Sequence, residues 1–252
     1  VFYSTQISAD GKNLVDASYK DAGSFASSAT NSVTYDVTGL NSATLYYFQV
    51  LPLVNSMEGS KSNIVSATTT ITSDLKVSGV KVEAGAVAAD NLTASLVISW
   101  NELTANTGIT GYKVYYSTNS DMSDAQFVTT GTTGTQTISG LTPATKYYVQ
   151  VAPLAGSNEG GKSDIVEGAT AISNKVVAQF LVAVGGDKTV SRSWQAATNT
   201  NVSGYYVYYA ENEADLASAT PLDAANKTTY NITGLKPSTT YWAKVVPYVL
   251  SK

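Results

Sequence analysis

The sequence predicts an all-β chain made of two-layer β-sandwiches in tandem. Three observations lead there. One set of landmarks returns along the chain, short segments alternate apolar with polar residues, and Ser, Thr, Asn, Gly, Val and Tyr dominate the composition. That blend favours strands and turns over helices, and no stretch carries a sustained helical period with caps.

The repeat comes first, because its period sets the size of the module. GLTPATKY (140–147) has counterparts in GLNSATLY (39–46) and GLKPSTTY (234–241), which sets Tyr46, Tyr147 and Tyr241 about 100 residues apart. Trp100 and Trp194 keep a similar interval. GYKVYYS (111–117) returns as GYYVYYA (204–210), and its tail returns as VFYS (1–4). MEGSKSNIVSAT (57–68) returns as NEGGKSDIVEGAT (158–170). Such a period, filled with short alternating segments, suits seven-stranded sandwiches.

Within a repeat the period of two assigns faces. In LVISW (96–100), Leu96, Ile98 and Trp100 share the inner face. Tyr112, Val114 and Tyr116 do so in YKVYY, leaving Lys113 and Tyr115 outside. Tyr147, Val149 and Val151 point inward from YYVQV, with Tyr148 and Gln150 outward. Arg192, the chain's single arginine, departs from this pattern: in VSRSW (190–194) it takes the core-facing parity of Ile98. A charge there needs a partner or a route to water, and a β-bulge that shifts the register is the expected explanation.

A Trp closing one strand, an aromatic-rich next strand and an L-x-P-x-T-x-Y turn together resemble fibronectin type III domains. The resemblance extends over essentially the whole chain. It implies immunoglobulin-like sandwiches with strand order A-B-C-C′-E-F-G, and Tyr46, Tyr147 and Tyr241 as tyrosine corners whose hydroxyls bond back to the turn. On that frame residues 1–70 hold a partial module (strands C to G), 71–170 a complete one, and 171–252 a partial one (strands A to F). Strands A and B of the first copy and strand G of the last are missing from the frame. An arbitrary cut through a longer array explains this, as does strand donation by a neighbouring copy. The linkers ATTTITSDL (67–75) and ATAISNKV (169–176) lack Pro and Gly. Their β-branched residues predict a semi-rigid rod.

Composition removes whole classes of chemistry. The 252 residues include no Cys and no His, which excludes disulfides, thiolates, imidazole bases and the common zinc and haem ligands. Charged residues make up 13% and the net charge is −4, a poor match to phosphate backbones. No apolar run is long enough to span a bilayer and no signal peptide is readable; with VFYS opening in mid-strand, the chain reads as a window of a longer precursor. The acidic clusters NSDMSDA (119–125) and ENEADLASA (211–219) lack the spacing of a calcium loop and read as solvated turns. The loops NSMEGSKSN and GSNEGGKSD carry no Arg-Gly-Asp, so the family's integrin-binding tripeptide is not carried over. Sequons begin at Asn91, Asn201, Asn226 and Asn231. No catalytic, cofactor-binding or metal-binding residue is assigned, and no cofactor is expected.

One surface remains. Tyr115 and Tyr148 in the second repeat, and Tyr206, Tyr208 and Trp242 in the third, place aromatic rings on the outward face of the C′-C-F-G sheet, with Phe2 and Tyr47 matching them in the first. Cross-strand pairing that only stabilises the sheet is one reading; a contact surface for a neighbouring subunit or a glycan is the other. The expected function is a non-catalytic structural rod of an extracellular filament, sheath or cell-surface layer. Its expected partners are copies of itself or other surface proteins, without nucleic acid or membrane insertion. An adhesive or glycan-binding surface module and a spacer in a secreted polysaccharide-degrading enzyme are the alternatives.

Overall fold

The computed structural model describes residues 1–24, 32–199 and 201–249. It is nearly all β. One short 3₁₀ turn, Glu213–Ala217, lies in the second acidic cluster, and no helix among the described residues is long and apolar enough to cross a membrane.

The first repeat holds β1 (Phe2–Ser4), a hairpin of β2 (Gln6–Ile7) and β3 (Leu14–Val15), then β4 (Ser18–Tyr19) and β5 (Leu45–Gln49). A second hairpin, β6 (Leu53–Val54) with β7 (Met57–Glu58), precedes β8 (Val65–Thr68). Its main sheet runs β4-β1-β5-β8, the order of strands C′, C, F and G. The segment 32–40 makes no ladder. Its counterpart in the second repeat pairs with a B strand, and no described segment of the first repeat takes that place.

The second repeat has two layers. β9 (Lys81–Val87), β10 (Ala94–Ser99) and β13 (Thr135–Leu141) form one sheet in the order β13-β10-β9. The other contains β11 (Gly111–Ser117), β12 (Gln126–Thr130), β14 (Lys146–Ala155), β15 (Asn158–Glu159) and β16 (Val166–Ala169), ordered β12-β11-β14 with β15 and β16 both on β14. Between the layers lie Leu96, Ile98, Val114, Val149 and Val151, all fully buried, with Trp100 edge-on to Tyr112 at 5.2 Å. The inward parity of each strand supplies this core, and each residue removed from water stabilises it by about 1.5–3 kcal/mol.

The third repeat rebuilds the arrangement. β17 (Gln179–Gly186), β18 (Thr189–Gln195) and β21 (Thr229–Thr233) form one sheet, while β19 (Gly204–Ala210), β20 (Leu222–Asp223) and β22 (Trp242–Tyr248) form the other. Trp194 meets Tyr205 edge-on at 5.5 Å, and Val207, Ile232, Leu235 and Val245 complete the core. The bulge expected at Arg192 is not there. The β18–β21 ladder runs unbroken from Thr189↔Thr233 to Ser193↔Thr229, and the register shift of this sheet lies in β17, between Gln179 and Val182. Arg192 therefore keeps the inward parity of Val190 and Trp194.

Candidate interaction surface

Each tyrosine at the repeated turn uses its hydroxyl in the same way. Asn41 N–H donates to Tyr46 Oη at 3.0 Å, Thr142 N–H to Tyr147 Oη at 3.2 Å, and Lys236 N–H to Tyr241 Oη at 3.1 Å. The hydroxyl satisfies an amide that no ladder reaches. A threonine just past the next long strand reinforces the turn: Thr69 Oγ1 donates to Asn41 O and accepts from Thr44 N–H, as Thr170 Oγ1 does with Thr142 O and Thr145 N–H. Tyr147→Phe is expected to cost the second module about 1–2 kcal/mol by leaving the Thr142 N–H unpaired. Tyr241→Phe, at an exposed turn, should cost less than half of that. Urea unfolding of each variant measures the pair.

The same turn is where the next module docks. Ala43 and Ala144 both hold a left-handed φ of 46°, as Ser238 does at 51°, a conformation that costs a non-glycine residue on the order of 1 kcal/mol. The first two are fully buried and aim their carbonyls at the following module. Gly108 N–H donates to Ala43 O at 2.7 Å, and Asn201 N–H to Ala144 O at 2.8 Å. Beside each, an asparagine amide clamps the preceding carbonyl: Asn106 Nδ2 on Ser42 O and Asn199 Nδ2 on Pro143 O, both at 2.7 Å. At the first joint Thr107 Oγ1 also accepts from Leu45 N–H at 2.9 Å.

Buried tyrosines hold the loops that carry these asparagines. Leu103 N–H donates to Tyr112 Oη at 2.9 Å and Ala197 N–H to Tyr205 Oη at 2.8 Å. Sequence reasoning passed over Asn106 and Asn199. Their signal was the matching N-T-G-I (106–109) and N-T-N-V (199–202) before each G-Y of strand C.

The outward aromatic residues are less open than their parity suggests. Tyr115 lies on the outer face, where its parity places it, and is only 9% exposed. Lys162 Nζ lies 3.8 Å from its ring centroid and Lys113 Nζ 5.0 Å, while its hydroxyl donates to Glu159 at 2.7 Å. Burial pushes the Tyr115 phenol above its ordinary value, so it stays protonated and able to donate at neutral pH. Phe127 of β12, which parity reasoning did not single out, is exposed beside it at a ring distance of 5.9 Å. The first repeat copies this patch with Phe2, exposed Tyr19 at 5.9 Å and Lys61 Nζ at 5.4 Å. Tyr148 is half-buried, opposite Ser117 and Glu167.

In the third repeat Tyr206 stacks on Tyr248 at 4.3 Å, Tyr208 carries Lys244 Nζ at 4.9 Å, and Trp242 is 47% exposed. The carboxylates of the first acidic cluster serve the turn itself. Asp121 accepts from Ser123 N–H and Asp124 from Ser117 Oγ. Among the described residues no group of three or more Asp or Glu is placed to hold a metal.

Sandwich modules joined end to end through a repeated turn, with aromatic and lysine residues on their outer sheets, define a class: a multi-module β-sandwich chain. Residues 82–169 and 177–249, more than half of the sequence, match the fibronectin type III domain, and the chain belongs to that family. Chitinase A1 of Niallia circulans is 32% identical over 165 residues, 58% of this chain and 20% of that protein. Tyrosine-protein phosphatase Lar of Drosophila melanogaster is 29% identical over 219 residues, 82% of this chain and 10% of that one. The chain thus spans a fifth or less of these relatives, and what it shares with them are fibronectin type III modules. Among solved structures, the chicken CNTN1 FN1–FN3 domains cover 83% of this chain and 74% of their own, at 21% identity and a TM-score of 0.40.

Proposed function

We propose that the chain is a non-catalytic, stiff rod of fibronectin type III modules that serves as part of an extracellular filament, sheath or cell-surface layer. The observation that carries this reading is the recurrence of one joint. Two successive modules meet through the same backbone bond and the same asparagine clamp, so the step between neighbours is set by geometry, as a regular rod requires. Lateral contacts would use the exposed rings Tyr19, Phe127 and Trp242, since aromatic residues are enriched where surfaces meet. Copies of the same chain are the partners this arrangement suits.

Electron microscopy of the purified chain tests the reading. Ordered polymers or laterally packed rods are expected, and the Tyr19→Ser, Phe127→Ser, Trp242→Ser triple variant should keep its fold while losing lateral order. Dispersed rods at every concentration would overturn the filament. The likeness to chitinase A1 favours a second reading, a spacer in a secreted polysaccharide-degrading enzyme. A catalytic domain in the same gene, with no polymer formed, would decide for it.

A further inference from the structure

Arg192 occupies the place that fully buried Ile98 fills in the second module, on an unbroken ladder between Ala183 and Tyr230. Its Nε is buried with no hydrogen-bond partner, and among the described residues no carboxylate pairs with the guanidinium. Burial lowers its affinity for the proton, yet a guanidinium remains charged at any physiological pH. A buried guanidinium nitrogen without a partner is costly, and a bound oxyanion would offset part of that cost.

The space around it is open for a reason found in the strands. β20 has two residues where β12 has five, so the edge of the third sandwich between β20 and β21 is left uncovered. A cleft of about 650 Å³ opens there, lined by Arg192, Ser191, Ser193, Thr229, Tyr230 and Asn231, with Lys227 at its side. That volume is in the range of small-ligand clefts. Lys227 is exposed and adds a second cation. The one acid on the wall, Asp223, is already engaged: its Oδ1 accepts from Ala225 N–H at 2.7 Å and from Tyr248 Oη at 3.0 Å. Ser191 Oγ donates to Asn231 Oδ1 at 3.2 Å on the outward face of the same sheet.

We propose that this cleft binds a carboxylate-bearing sugar, with the Arg192 guanidinium taking the carboxylate and the neighbouring Tyr230 ring taking the sugar's apolar face. The planar guanidinium matches a carboxylate through two parallel hydrogen bonds. The Tyr230 ring, directly across the ladder from Arg192 and on the same face of the sheet, offers an apolar wall to the sugar's C–H face. The site lies apart from both joints and stands whether or not the chain polymerises.

Calorimetric titration of the whole chain with digalacturonate at low salt tests the assignment, with lactose and inorganic phosphate as comparisons. Digalacturonate is expected to bind and lactose not. Arg192→Leu should weaken binding at least tenfold while raising the melting temperature, because it restores the Ile98-like core. Arg192→Lys keeps the charge without the fork and should weaken binding about tenfold. Lys227→Gln, on an exposed loop, should weaken it a few-fold and serves if the core variants fail to fold. Unchanged binding in these variants overturns the proposal, as does the absence of digalacturonate binding at about 10 mM. Phosphate binding as tightly as digalacturonate would mark a general anion hole and overturn the sugar assignment.

Discussion

Trp100→Ala is expected to lower the stability of the second module by about 3–5 kcal/mol, a large share of what holds an ordinary domain folded. The indole is 6% exposed, packs edge-on to Tyr112 and fills the centre of the larger core. Truncation leaves a cavity between two sheets whose backbones are fixed by their ladders and cannot collapse onto it. Its Nε1 is buried without a partner, as is that of Trp194. Trp100→Phe, which removes that unsatisfied donor while keeping an aromatic face, should therefore cost only about 1–2 kcal/mol. Hydrogen exchange resolved by peptide separates the modules: protection should fall in 94–117 and 146–151 and hold in 189–210. A uniform loss would mean that the modules unfold as one unit. Unchanged protection would mean that Trp100 does not organise the core.

The contrast between that core and the joints shows what this sequence makes legible. Leu96, Ile98 and Trp100 could be placed inward because strand parity is a local property, visible within five residues. Tyr147 could be tied to its turn for the same reason, since its partner amide lies five positions back. Tyr115 was assigned to the correct face, but Glu159 of β15 and Lys162 just beyond it, which cover it, arrive more than forty residues downstream. Asn106 was missed on similar grounds: the carbonyl it clamps belongs to the preceding module, 64 residues away. Arg192 was legible as an anomaly of charge against parity. The cleft that gives it a ligand-sized space depends on the shortness of β20, which parity does not report.

Gly108→Val is expected to open the joint between the first two modules while leaving each module folded. A Cβ at Gly108 would lie 2.7 Å from Thr68 Cγ2 and 2.8 Å from Ala43 O, both of the preceding module. Those contacts are too short to relax without moving one module away from the other. The Gly108–Ala43 and Asn106–Ser42 bonds would go together, exposing carbonyls that are otherwise satisfied. Small-angle scattering should record a broader distribution of maximum dimensions, and hydrogen exchange should rise at 42–45 and 103–108. The second joint indicates how to restore the first. There the glycine's position is held by Asn201 and the threonine's by Ala169, which pairs with Lys146 as Thr68 pairs with Leu45. Bulk has moved from one side of the contact to the other. Gly108→Asn alone should thus loosen the joint, and Thr68→Ala with Gly108→Asn should recover most of it. Such non-additivity is the signature of direct contact. Strictly additive effects would mean that the two residues do not meet, and that the repeated joint does not fix the rod.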